Sequence, residues 1–218
     1  MSKKYNVIIF DWDGTIVNST GLIVSAIKDA AICKGISFSD ERKLYSVIGL
    51  SLDLAFRKLF GTLSNQEIIE LQDLYKETYL KKANNISLFD GIDSGIKDLQ
   101  RRGYSLAIAT GMSRKGLDRA LKQSGLNSFF PVTKTIDECF SKPHPQMIEE
   151  ILDYYMISPD KALLVGDSTH DLKMAINSGI DSIGVTYGSE APQELLKYKP
   201  KILANNAFEI FEWIMRNE

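Results

Sequence analysis

Two acids one residue apart, Asp11 and Asp13, follow directly on the apolar run Val7-Ile8-Ile9-Phe10. A short apolar run of this kind reads as a buried strand. Its end delivers both carboxylates into one crevice, because alternate residues of an extended chain share a face. Two carboxylates held close together repel unless a cation or a proton relieves them. A strand-end acid also caps the helix that follows, which accounts for Asp13 or Asn18 alone but not for two acids flanking Trp12.

Three more segments carry chemistry in the same setting. Thr110-Gly111-Met112-Ser113 comes after the apolar stretch Leu106-Ala107-Ile108-Ala109 and leads into a helical pattern. A hydroxyl, free backbone N–H groups and a helix dipole suit a phosphate, although Thr-Gly before a helix is also an ordinary cap. In Ser141-Lys142-Pro143-His144-Pro145, prolines at a helix entrance pin one lysine as a candidate anion-binding cation. Most lone lysines are solvated surface charges, and the rigid frame sets this one apart. Val165-Gly166-Asp167-Ser168-Thr169-His170-Asp171 again ends an apolar run with two acids, spaced as on one helical face. Together the carboxylates form a hard, oxygen-rich pocket suited to Mg²⁺ and not to zinc.

Elements must exist to hold these groups together. Strand-like runs fall at 7–10, 105–109, 129–132, 162–165 and 182–185, with helical periodicity at 91–102, 114–124, 145–155, 168–178 and 207–216. Alternation of this kind predicts an α/β fold, a Rossmann-like parallel sheet with helices on both faces. In such sheets ligands bind beyond the strand C-termini, where all four segments fall. One interval breaks the rhythm. From 18 to 87 only helical pattern occurs, including a capping box at Ser64-Asn65-Gln66-Glu67 that opens a helix toward Lys82. Seventy residues are too many for a loop, so the spacing predicts a helical cap domain at 18–87, inserted into a core of 1–17 and 88–218.

Composition narrows the field. A formal charge of −2 over 218 residues argues against nucleic acid and against a polybasic membrane surface. The apolar runs are strand-length, too short to span a bilayer. The start, Met1-Ser2-Lys3-Lys4-Tyr5, lacks the apolar stretch of a signal peptide. Cys33 and Cys139 lack metal-like spacing and read as core thiols in a reducing, cytoplasmic setting. Monomer and homodimer are equally compatible with these features.

The four segments, in this order from Asp11 to Asp171, resemble the haloacid dehalogenase superfamily, in the branch whose cap is inserted just after the first strand. Within it the chain is most similar to phosphoglycolate-phosphatase-type hydrolases. The resemblance implies a Mg²⁺-dependent hydrolysis of a small phosphorylated metabolite. Asp11 would be the nucleophile and Asp13 the general acid and base, with Thr110, Gly111 and Lys142 holding the phosphoryl oxygens. Asp167 would bind the metal with Asp11, Asp171 would bind it or support a ligand, and Asp13 would contribute its backbone carbonyl. The loop Ile48-Gly49-Leu50-Ser51-Leu52 resembles the Gly-rich substrate loop of this branch, so Gly49, Leu50, Ser51 and Arg57 are the candidate substrate residues, with Lys58 next. Departures are modest: Asn18 stands where many relatives carry an acid, Asp90 where many carry proline, and Gln146 where an acid is frequent.

Alternatives are separable on residues. A dehalogenase of the family lacks the second acid, which Asp13 supplies here. A β-phosphoglucomutase-like sugar phosphomutase carries a histidine in the helix after the first motif, and 21–34 has none. A non-enzymatic phosphate-binding regulator would have lost Asp11 or Lys142. A signalling receiver domain orders its acids differently in a shorter chain. A small pocket under the cap favours phosphoglycolate or another small phosphomonoester.

Overall fold

The structure, a computed structural model, describes residues 3–37, 40–83 and 87–217. Met1 and Ser2 of the N-terminal reading, and 84–86 on the approach to the expected boundary at 87, lie outside them. In chain order β1 (Val7–Phe10) is followed by four helices, α1 (Thr20–Cys33), α2 (Arg42–Tyr45), α3 (Leu52–Leu59) and α4 (Asn65–Lys82). Helices and strands then alternate. They run α5 (Ile92–Arg101), β2 (Ser105–Ala109), α6 (Arg114–Ser124), β3 (Val132–Lys134), α7 (Gln146–Tyr155) and β4 (Ala162–Gly166). The rest is α8 (Thr169–Asn177), β5 (Asp181–Val185), α9 (Pro192–Leu196), β6 (Leu203–Ala204) and α10 (Ala207–Arg216).

The six strands pair in parallel in the order β3-β2-β1-β4-β5-β6. β1 is apolar at every position because the sheet is covered on both sides. Ile8 and Phe10 join Leu106, Ile108, Leu163 and Val165 in a core shared with α5, α6 and α10. Val7 and Ile9 join Ala107, Ala109, Ala162 and Leu164 in a second core under α7 and α8. Burial at roughly 25 cal/mol per Å² of apolar surface on each face makes the register expensive to slip, since one step exchanges the two faces.

Four of the expected strands fall within one residue of their expected ends; the one at 129–132 does not. The strand there is Val132–Lys134, because Phe130 turns into the core and meets Phe10 edge-on at 6.2 Å. Short α2, α9 and β6 lacked a readable period. Cys139 is buried as expected, whereas Cys33 is exposed at the end of α1, so only one of the two is a core thiol.

α1–α4 share an apolar cluster of their own, with Ile27, Ala30, Leu44, Phe56, Ile68 and Leu71 inside it. Phe56 sits 5.8 Å from Phe60 and 5.9 Å from Tyr75, ring centre to ring centre. The Ser64–Glu67 capping box forms as read. The chain enters and leaves these helices side by side: Asn18 N–H donates to Ser87 O at 2.9 Å, and Val17 bridges Leu88. No helix among the described residues is long and apolar enough to cross a membrane.

Candidate active site

The strand order reverses around β1, whose neighbours β2 and β4 lie on opposite sides, and this switch point opens a crevice at the strand C-termini. Phe10 pairs with Ile108 on one side and Val165 on the other. Asp11, Thr110 and Asp167, each the residue after a strand, therefore emerge at one level. Asp11 N–H still bonds Val165 O at 2.9 Å, and Thr110 N–H bonds Lys134 O at 3.0 Å, so the sheet itself fixes their backbones.

Lys142 is fully buried between two acids. Its Nζ donates to Asp11 Oδ1 at 2.5 Å and to Asp171 Oδ1 at 2.6 Å. Burial alone would lower the lysine pKa, but the charges of Asp11 and Asp171 outweigh it and hold the ammonium above its ordinary value. The other Asp171 oxygen closes a capping box, accepting the Ser168 N–H at 3.1 Å and hydroxyl at 2.5 Å. Asp167 accepts the Ser189 N–H at 2.6 Å and the Thr15 hydroxyl at 3.3 Å. Gly14 makes room there: at its φ of +81° an added Cβ would lie 2.3 Å from Asp167 Oδ2.

Asp11 and Asp167 are costly to ionise. Burial lifts the Asp11 pKa well above the carboxylate range, with Asp171 and Asp167 adding to the rise and Lys142 opposing it. Asp167 is pushed up to about 6 by burial and by the Asp171 charge. Asp11 Oδ2 is buried and has no hydrogen-bond partner. Asp11, Asp167 and Asp171 can each offer an oxygen such that all three lie within 4.8 Å of one another. An orphaned oxygen in an all-oxygen cluster fits a hard divalent cation.

Asp13 behaves differently. Its carboxylate is not part of that cluster, and Oδ1 instead accepts the Ser19 hydroxyl at 2.6 Å. Burial raises its pKa against that bond and against Lys142, which favours a proton it can give away. Thr110 Oγ1 accepts the Met112 N–H at 3.2 Å, leaving its own proton to donate.

A cavity of about 700 Å³ opens over these groups, with Asp11, Asp13, Thr110 and Gly111 at its floor and α1, α3 and α4 on its far wall. It is roomier than the small pocket the sequence predicts. Gly49, Leu50 and Ser51 line it, as expected of the substrate loop. Ser51 N–H donates to Ser141 Oγ at 2.8 Å, and His170 Nε2 lies 3.1 Å from Ser46 O. At Gly111 a Cβ would come within 2.5 Å of Gly49 O, so the loop is seated directly on the phosphate-type turn.

Arg57 is not brought to the cavity. It is exposed on α3, where Asp53 Oδ2 accepts its Nε–H at 2.8 Å and Asn65 Oδ1 accepts from Nη1 at 2.9 Å. Lys58 donates to Ser46 O at 2.9 Å and is likewise outside. The sequence reading missed Tyr75, Tyr79, Lys115 and Arg119, which do line the cavity, and Ser19 and Ser189, which hold the acids. Ser168, which also holds an acid, carries a readable signal in the Ser168-x-x-Asp171 capping pattern; the residues just named are brought in by tertiary packing.

Buried acids and a lysine at the switch point of a parallel sheet define an α/β enzyme that receives its ligand beyond the strand ends. Residues 8–185 match the family described as haloacid dehalogenase-like hydrolase. The chain is 32% identical over 212 residues to "Probable phosphatase IndB" of Dickeya dadantii, covering 94% of this chain and 91% of that one. It is 27% identical to "Pyrophosphatase PpaX" of Bacillus mycoides, covering 98% of each. Its fold matches the crystal structure of a predicted phosphoglycolate phosphatase from Haemophilus somnus, with a TM-score of 0.88 at 22% identity, covering 98% of this chain and 99% of that one. The chain belongs to the haloacid dehalogenase-like hydrolase family.

Proposed function

We propose that the chain is a Mg²⁺-dependent phosphohydrolase that cleaves a phosphomonoester metabolite through an aspartyl phosphate on Asp11. The observation that carries this reading is the state of Asp11: one oxygen is fixed by Lys142 at 2.5 Å, and the other is buried without a partner beside the cavity. The family, and a relative described as a phosphatase, support the same chemistry.

The residues divide the work. Lys142 neutralises charge between the carboxylate and an incoming phosphoryl dianion, which otherwise repel. Thr110 and the Gly111 turn hold phosphoryl oxygens. An Asp11 oxygen attacks phosphorus, the P–O bond to the alcohol breaks, and the departing oxygen takes the proton from Asp13. Asp13, now a carboxylate, removes a proton from water. That water attacks the same phosphorus, freeing inorganic phosphate and restoring Asp11. Asp11, Asp167 and Asp171, with the Asp13 carbonyl, would hold Mg²⁺, which when bound supplies charge neutralisation at the phosphoryl group. The loop at 48–52 covers the floor and limits bulk water.

A mutase reading gains nothing from the geometry, since neither His144 nor His170 lines the cavity and α1 carries no histidine. The test is p-nitrophenyl phosphate hydrolysis with Mg²⁺, with chelator, and in Asp11→Asn. Turnover that requires Mg²⁺ and vanishes in the variant is expected. Full turnover by Asp11→Asn, or in chelator, would overturn the proposal.

A further inference from the structure

Five charged side chains line the cavity away from its catalytic floor: Asp53, Lys76, Asp137, Lys115 and Arg119. Three of them are already engaged. Asp53 is bound by Arg57, Lys76 pairs with Asp73 at 3.0 Å, and Asp137 accepts the Arg114 N–H at the start of α6 at 2.8 Å. Lys115 and Arg119 have no hydrogen-bonding or ion-pair partner among the described residues. They are four residues apart on α6, hence on one face and about 6 Å apart along the axis. Arg119 is half-buried beside Tyr79. Lys115 is exposed, and an unpaired guanidinium facing the cavity can take a planar oxyanion by bidentate contact.

Building on the phosphohydrolase reading, we propose that Arg119, with Lys115, forms a subsite for an oxyanion, a carboxylate or a second phosphate, carried by the leaving alcohol. The substrate class is then an acidic phosphomonoester with its two anions at opposite ends. Thr110 marks the phosphoryl end, and α6 starts four residues later. At 1.5 Å per residue Arg119 sits roughly 8 Å along the helix from Arg114. Ile23, Ile27, Tyr79 and Met112 line the cavity as well, so the body between the anions meets apolar and aromatic wall. At about 700 Å³ the space holds a body much larger than two carbons. This subsite takes over, from the core side, the role the sequence assigns to Arg57.

Three aryl esters of matched shape test the subsite: 4-carbamoylphenyl phosphate, 4-carboxyphenyl phosphate and 1,4-phenylene bisphosphate. The readout is the kcat/KM of each acidic ester relative to the neutral amide, in wild type, Arg119→Met, Arg119→Lys and Lys115→Met. Wild type is expected to favour one acidic ester, and which one identifies the oxyanion. Arg119→Met should lower that preference by about ten- to a hundredfold, mainly through KM, with Arg119→Lys in between and Lys115→Met weaker. Equal ratios in wild type and Arg119→Met, while all esters turn over, would overturn the subsite and leave the phosphohydrolase reading standing. No turnover of any ester by wild type with Mg²⁺ would overturn that reading, and the subsite with it.

Discussion

The floor and the wall of the cavity are built by opposite rules. At the floor and just beneath it, Asp11, Lys142, Asp167 and Asp171 are almost wholly buried and tied to one another or to loop backbone. On the helical wall, Ile23, Ile27, Tyr75 and Tyr79 offer apolar and aromatic surface. Of the polar groups near it, Asp53 and Arg57 are exposed and bind each other, and Lys76 pairs with Asp73. The first arrangement is sensitive to any change in charge, because Lys142 is the counter-charge of Asp11 and Asp171 in a low dielectric. The second tolerates changes of shape and size. Under the proposed function, the difference separates chemistry from choice of substrate: the reaction belongs to the ends of the sheet, and discrimination to the cavity wall, α6 included.

The sharpest way to break this contrast is to alter one floor residue without altering its size. Asp11→Asn should lower turnover of every phosphomonoester by about 10⁴-fold or more, with an unchanged circular dichroism spectrum. A loss confined to some substrates would move Asp11 into recognition. Lys142→Met should come next. Removing the cation strands Asp11 and Asp171 as buried like charges, which should cost about 3–5 kcal/mol in denaturant titrations and roughly 10²–10³-fold in kcat.

The wall should fail in another way. Phe56→Ala leaves a void between Phe60 and Tyr75 and should cost about 3–5 kcal/mol. Well below its melting temperature, though, p-nitrophenyl phosphate turnover should fall far less than in Lys142→Met. If the two variants lost activity equally, floor and wall would not be separable.

A pH titration sharpens the floor further. The Asp167 pKa is raised to about 6 against about 3.9 in an unfolded chain, so its contribution is present at low pH and is lost as pH rises through 6. Asp11, raised in the same direction, adds to the loss. With chelator present, the melting temperature should therefore fall by several degrees between pH 4 and 7, at about 2–4 °C per kcal/mol. Mg²⁺ should restore it at pH 7 and do little at pH 4. A chelated protein that gains stability over that range would mean the acids are relieved by something other than a cation. The smallest effect belongs to Arg57→Ala: no resolvable change in melting temperature and about twofold or less in KM for any ester, because its exposed pair with Asp53 is worth little.

The same contrast governs what the sequence made legible. The floor could be read residue by residue, since strand ends follow directly from apolar runs and a parallel sheet leaves few places for Asp11, Thr110 and Asp167 to go. Lys142 was found by its proline frame, though not its two partners, which depend on how α8 meets the sheet. The wall was not legible. Arg57 and Arg119 look alike in a sequence, and only packing turns one outward and the other in. One clue was present: Asp53 stands four residues before Arg57, the spacing of a pair satisfied along its own helix. Lys115 and Arg119 have the same spacing but like charge, a pattern that disfavours an isolated helix and is retained here on a cavity wall. β6 escaped because two residues carry no period, and β3 shifted because Phe130 found a better place against Phe10.

The side-by-side passage of the chain at Asn18 and Ser87 has a consequence for ancestry and engineering. A backbone hydrogen bond of 2.9 Å joins the two crossings, so a short turn is enough to splice them, and closing a short loop costs little entropy. The intervening helices thus form an insertion whose two chain crossings lie side by side, with the 46–51 loop touching the core a second time. They can be lengthened, exchanged for another module or recombined between lineages while the Asp11 strand keeps its place. Exchange of the insertion would therefore change the cavity wall and leave the Asp11, Lys142, Asp167 and Asp171 cluster in place.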